Sequence, residues 1–226
     1  MKQALEQLQT YTWGDDPQSL RPIEDAITSS YGNDEARREI EAALIAVLHS
    51  DASRAAKDYV CRQLKIIATD ASVPALASLL GDADQSHMAR FALQSIPRDA
   101  ATDALIQALD DPALPAALQL GVIGSLGARG DDAAVAPLSK LLSSEHEQIA
   151  TAAANALGAI RSAAAAKALA GSPPRAAVMN ALLSCAEAML DRGDKAGAKA
   201  IYQKLLGNDK KQIKLAATRG ILACAQ

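Results

Sequence analysis

Ala133-Ala-Val-Ala-Pro-Leu-Ser-Lys-Leu-Leu142, followed by Ser143-Ser-Glu-His-Glu-Gln-Ile149-Ala-Thr-Ala-Ala153-Ala-Asn-Ala-Leu157-Gly-Ala-Ile160, decides the fold. In both segments apolar residues return every three or four positions, the spacing that gathers them on one side of an α-helix. A short polar turn separates the two patterns, which predicts a helical hairpin. Such a hairpin cannot bury its apolar faces alone, so further copies are to be sought along the chain.

They are present. The ten-residue pattern recurs as Ala71-Ser-Val-Pro-Ala-Leu-Ala-Ser-Leu-Leu80, Ala100-Ala-Thr-Asp-Ala-Leu-Ile-Gln-Ala-Leu109 and Gly197-Ala-Lys-Ala-Ile-Tyr-Gln-Lys-Leu-Leu206, with a degenerate copy at Arg161-Ser-Ala-Ala-Ala-Ala-Lys-Ala-Leu-Ala170. The closing positions 80, 109, 142, 170 and 206 lie 31.5 residues apart on average, one helix–turn–helix unit per repeat. The pattern that follows recurs too: Ile149, Ala153 and Leu157 are matched by Ile213, Ala217 and Ile221, and Val60, Leu64 and Ile67 play the same part earlier. Asp51, Asp70, Asp84, Asp111, Asp131 and Asp209 stand where N-caps are wanted, and Gly81, Gly130, Gly171 and Gly207 where helices should stop. The copy at 161–170, followed by Pro173-Pro174, is the one expected to distort the stack.

Val-Pro-Ala-Leu at 73–76, the Leu-Leu that closes that copy, a polar turn, and then Ala-Ala-Ala-Asn-Ala-Leu-Gly-Ala-Ile at 152–160 together resemble the bacterial HEAT-like repeat class that includes the phycobilin-lyase type. The resemblance covers residues 48–226. It implies an all-α, right-handed α-solenoid of HEAT-like helical hairpins with an N-terminal helical cap. It does not fix a function, because such repeats serve scaffolds, adaptors, lyases and hydroxylases alike.

Residues 1–47 do not fit the repeat and are expected to form the cap, with helices over 2–10, 17–30 and 34–49; residues 48–226 form the solenoid as one continuous domain. Tyr11, Trp13, Tyr31 and Tyr59 put four of the six aromatics in the first sixty residues. Terminal repeats must cover an apolar face, so these are expected as core of the cap, with a peptide-binding aromatic patch as the other reading.

Composition supports the all-α reading. Half the residues are hydrophobic, yet there is one Phe, one Trp and four Tyr, and Ala and Leu dominate. That mixture suits close helix packing and suits a β-sandwich poorly. A net charge of −3 gives no electrostatic footprint for nucleic acid. The first residues lack the apolar core of a signal peptide and no run approaches a membrane span, so a soluble, cytoplasmic chain is expected, or an exported one if a leader has been removed.

Sites of chemistry are scarce. HEAT-like di-iron hydroxylases carry repeated His-Glu dipeptides; among His49, His87 and His146 only His146-Glu147 forms one, so no metal site is expected. Cys61, Cys185 and Cys224 lie far apart inside apolar patterns and read as buried thiols. Gly121-x-x-Gly124-x-x-Gly127 lacks phosphate-loop spacing and lies in a helical pattern, where small residues allow close packing; Gly127 matches Gly158 in the repeat. Catalytic residues, cofactor and metal are each expected to be none.

The resemblance implies that the second helix of each hairpin lines the concave side. Aligned copies give its outward columns: Ser78, Gln107, Lys140, Ala168 and Lys204, and beside it Ala77, Ile106, Ser139, Lys167 and Gln203. The partner-binding candidates are therefore Ser78, Gln107, Lys140, Lys167, Gln203 and Lys204, with Lys195 and Lys199 adding to a basic C-terminal end. The expected function is a non-catalytic interaction module or scaffold that binds another protein or peptide, with no nucleic acid and no membrane. The alternative is a chromophore- or cofactor-handling lyase-like protein.

Overall fold

The computed structural model describes residues 1–97 and 99–225. Among them every regular element is helical. Their contacts divide the chain into two units, Met1–Leu118 and Gln119–Gln226.

The first unit opens with α1 (Lys2–Thr10), a 3-10 turn (Pro17–Leu20), α2 (Arg21–Ser29) and α3 (Asp34–Leu48). These bounds match the expected 2–10, 17–30 and 34–49 to within a residue, apart from the 3-10 start. Local chemistry sets them. Asn33 accepts from Ala36 N–H at 3.1 Å, and Asp34 and Glu35 in the first turn of α3 face its positive end. Leu8, Leu20, Ile23, Ile27 and Leu44 are buried and form the core here. Tyr59 joins them, its hydroxyl donating to Leu20 O at 3.3 Å, while Ser53 Oγ donates to Tyr11 O. The expectation of a buried aromatic cap fails for Trp13 and Tyr31, which are 61% and 89% exposed. Trp13 instead lies under the Arg54 guanidinium, 5.5 Å from the ring centre.

Hairpins follow: α4 (Arg54–Ile67) with α5 (Val73–Ala77), and α6 (Ser86–Leu93) with α7 (Asp99–Asp110), α4 packing on α6 and α5 on α7. α8 (Ala116–Arg129) crosses the division between the units. The second unit continues with α9 (Val135–Leu141), α10 (Glu147–Ile160), α11 (Ala163–Ala170), α12 (Ala176–Asp191), α13 (Lys195–Leu205) and α14 (Lys211–Cys224). There α10 packs on α12 and α12 on α14, with α9 beside α11. This is the all-α solenoid architecture, with first helices stacking on first helices within each unit and second on second for α5 with α7 and α9 with α11.

Burial follows the repeat. The sixth position of the five copies, Leu76, Leu105, Leu138, Ala166 and Tyr202, is buried throughout. Hydrogen bonds between neighbouring repeats span 31 and 34 residues, close to the 31.5-residue mean: Arg192 Nη2 to Arg161 O and Lys204 Nζ to Ala170 O. The 161–170 copy keeps its helix, α11. Ser162 caps α11 by accepting from Ala165 N–H at 3.1 Å, and Pro173 and Pro174 lie beyond its end. Leu206, the closing residue of the last copy, is 39% exposed and lies just beyond the end of α13 at Leu205.

Several caps fall on neighbours of the expected aspartates. Ser53 and Thr69 start their elements, Asp82 accepts from Asp84 N–H and Gln85 N–H, and Asn208 accepts from Lys210 N–H. Each turn offers two or three short polar side chains, and the one that reaches the free N–H groups is settled by backbone path rather than residue type. At the other ends, Gly130 takes the left-handed conformation at φ 75°, and so does Arg161 at φ 56°.

Candidate functional site

The outward columns of the second helices open onto grooves. In the first unit Ser78 and Gln107, one on each side, line a groove of about 350 Å³ between α5 and α7, floored by Leu80, Ala104 and Leu114. Ser78 is satisfied locally, its hydroxyl donating to Ala75 O at 2.8 Å, while Gln107 is exposed.

In the second unit Ser139 and Lys167 line a groove of about 550 Å³ between α9 and α11, its apolar surface made by Leu142, Ala164, Ala168 and Pro173. Lys204 lies at a smaller groove of about 170 Å³ walled by Met179, Leu182 and Leu205. Its ammonium donates to Ala170 O at 2.5 Å, at the carbonyl end of α11 where a cation complements the helix dipole. Lys204 therefore has a structural duty that the repeat pattern did not reveal. Lys140 and Gln203 are exposed, outside these grooves. Ser78, Gln107, Lys167 and Lys204 thus fall at grooves and the other two candidates beside them.

Charge is distributed unevenly. Residues 1–118 carry 10 Lys and Arg against 18 Asp and Glu; residues 119–226 carry 13 against 8. Within the second unit, α9, α11 and α13 hold Lys140, Lys167, Lys195, Lys199 and Lys204 and not one acidic residue. The whole-chain net of −3 conceals this segregation, and a count by halves would have exposed it.

A further groove, of about 480 Å³, lies in the first unit between α2, α3 and α4, lined by Glu24, Ile27, Tyr31, Arg37 and Ile66 among others. Ile66 is 63% exposed, and Arg37 Nη2 donates to its carbonyl at 3.2 Å.

The remaining motifs are structural. A Cβ on Gly127 would come within 2.7 Å of Ala156 Cα, and one on Gly158 within 2.9 Å of Ala181 Cα, so these glycines let successive first helices touch backbone to backbone. Gly124 has open space around it and does not share that role. His49, His87 and His146 are all exposed, and among the described residues no group of three or more His, Cys, Asp or Glu is placed to hold a metal ion. Burial pushes the Cys61 thiol up to about 12 and the Cys185 thiol up to about 11, so neither is a nucleophilic thiolate at neutral pH. Cys224 is half-buried, not fully buried as its pattern implied. An aromatic disulfide reagent should accordingly titrate one thiol rapidly in the native chain and three after denaturation; rapid reaction of all three in the native state would contradict the packing.

Residues 102–181 match the family model described as HEAT repeats. That stretch is similar to HEAT repeats. No curated protein matches it. Among solved structures, an engineered protein is 22% identical, with 100% of this chain and 69% of that one covered at a TM-score of 0.44. A designed armadillo repeat protein in complex with the peptide (KR)4 is 17% identical, with 98% of each chain covered and a TM-score of 0.40. Human deoxyhypusine hydroxylase is 16% identical over 98% of this chain and 94% of its own, with a TM-score of 0.36. Likeness at this level transfers neither a ligand nor an activity. No described helix is long and apolar enough to cross a membrane.

Proposed function

We propose that this HEAT-like repeat chain is a non-catalytic interaction module whose second unit holds an extended, acidic segment of a partner protein along α9, α11 and α13. The observation that carries this reading is the groove between α9 and α11, where an apolar floor of Leu142, Ala164, Ala168 and Pro173 lies beside Lys167, on a helix set that bears five lysines and no acid. Such a surface favours a segment that alternates apolar and acidic side chains. Ser78 and Gln107, on the first unit, offer neutral hydrogen-bonding groups to a polar segment of the same kind.

The test uses the full chain and a fluorescent peptide alternating Glu and Leu, followed by anisotropy. Lys140→Glu with Lys167→Glu should weaken binding about tenfold, equivalent to about 1.4 kcal/mol, with helicity unchanged. Added salt should weaken the wild type more than the variant. Lys204 is left intact because its reversal would also remove the bond to Ala170 O. Undiminished affinity in the double variant would remove the lysine strip from the interface. A visible absorption band that purifies with the chain would instead support the chromophore-handling lyase alternative.

A further inference from the structure

We propose that copies of this chain associate head to tail, the outward face of α14 of one copy seating on the groove between α2, α3 and α4 of the next. This is separate from the lysine strip and does not depend on it.

The described large apolar side chains that remain exposed fall into two sets, from Met1 to Ile66 and from Leu206 to Leu222, with none between. Single exposed apolar residues are ordinary. Here, however, each set contains a pair that shares one surface. Tyr31 and Ile66, 89% and 63% exposed, line the 480 Å³ groove with Ile27 at its floor. Leu215 and Leu222, 51% and 62% exposed, stand seven residues apart on α14, which places them on one stripe two turns apart. A groove with an apolar floor and a helix with an apolar stripe are complementary shapes for helix-in-groove docking.

Charge points the same way. α14 carries Lys211, Lys214 and Arg219 and no acidic residue. The exposed acids of α2 and α3 are Glu24, Asp25, Asp34, Glu35 and Glu39, against three arginines. Of these arginines, Arg37 is drawn onto Ile66 O and Arg21 lies 4.0 Å from Asp25. A basic helix with a leucine stripe thus meets an acidic rim around an apolar floor. Because the two surfaces differ, a single contact leaves one helix and one groove open, so further copies add on until the set closes on itself.

Sedimentation velocity of the full chain tests this. At low salt the mean mass should exceed the 23.4 kDa of one chain and rise with concentration, and it should fall as salt screens the charges. Ile66→Lys spoils the groove and Leu222→Glu spoils the helix, each at an exposed position where helicity should be unchanged. Each variant alone should sediment as a monomer. An equal mixture should give a dimer and nothing larger, since one copy keeps its helix and the other its groove. A wild type that stays monomeric up to the highest soluble concentration would overturn the proposal. So would association that survives either substitution, or a mixture that remains monomeric.

Discussion

Glu41→Ala should lower the stability of the first unit by about 3–5 kcal/mol, with a fall in Tm on the order of 10 °C. Glu41 is 2% exposed in α3, and its carboxylate collects Thr69 N–H at 2.7 Å, the Thr69 hydroxyl at 2.9 Å and the Ser72 hydroxyl at 2.6 Å. Charge-assisted hydrogen bonds of this kind contribute about 1.5–3 kcal/mol each, and the fully buried Ser72 hydroxyl would be left without its acceptor. The three donors all come from the 3-10 turn and its cap that start the second helix of the first hairpin. Glu41 therefore fastens the helices before residue 48 to the first repeat. Adding Ser72→Ala to Glu41→Ala should cost little more, because the orphaned hydroxyl is then gone. Urea unfolding followed by circular dichroism reads both values. A loss below about 1 kcal/mol for Glu41→Ala would contradict the role assigned to this carboxylate.

Gly220→Ala should destabilise by about 1–3 kcal/mol, opposite in sign to the usual gain of about 1 kcal/mol for this change in a helix. The cause is Tyr202. It occupies the sixth repeat position, which Leu76, Leu105 and Leu138 hold in other copies, and its ring lies so close that a Cβ on Gly220 would come within 2.4 Å of the Cε2 atom. Tyr202 is 2% exposed and cannot swing away without disturbing the core. Tyr202→Leu restores the side chain used elsewhere in the repeat and should make Gly220→Ala harmless. The coupling between the two changes should reach at least about 1 kcal/mol in a double-mutant cycle. Additive effects would mean that the ring and the glycine do not compensate one another.

These two residues mark what could be read in the sequence. The hairpin repeat was legible because Leu76, Leu105 and Leu138 recur at fixed spacing, and recurrent spacing is what burial imposes on a helix face. Glu41 was not, since a carboxylate before the first repeat looks like any surface acid until Thr69 and Ser72 fold back onto it. Gly220 was silent for the same reason: its meaning depends on a tyrosine eighteen positions earlier, on a different helix. Gly127 and Gly158 could be read as packing glycines because they share a repeat position. At the candidate site, alignment of the copies brought out Ser139 and Lys167 together, and they do line one groove. It missed the bond from Lys204 to Ala170 O, because a backbone carbonyl leaves no mark on a side-chain pattern. Trp13 and Tyr31 looked like core by residue type, whereas Trp13 is held outside by the Arg54 guanidinium.

The most direct test of the acidic-segment reading places a photoreactive benzophenone side chain at Ser139, in the α9–α11 groove, and, as a control, at the exposed Gln148 on α10. The full chain is irradiated with the Glu-Leu alternating peptide, and the products are mapped by mass spectrometry. The expected result is a peptide adduct from position 139 that declines with salt, and none from position 148. Equal labelling from both positions, or labelling from 148 alone, would contradict a partner held along the second helices.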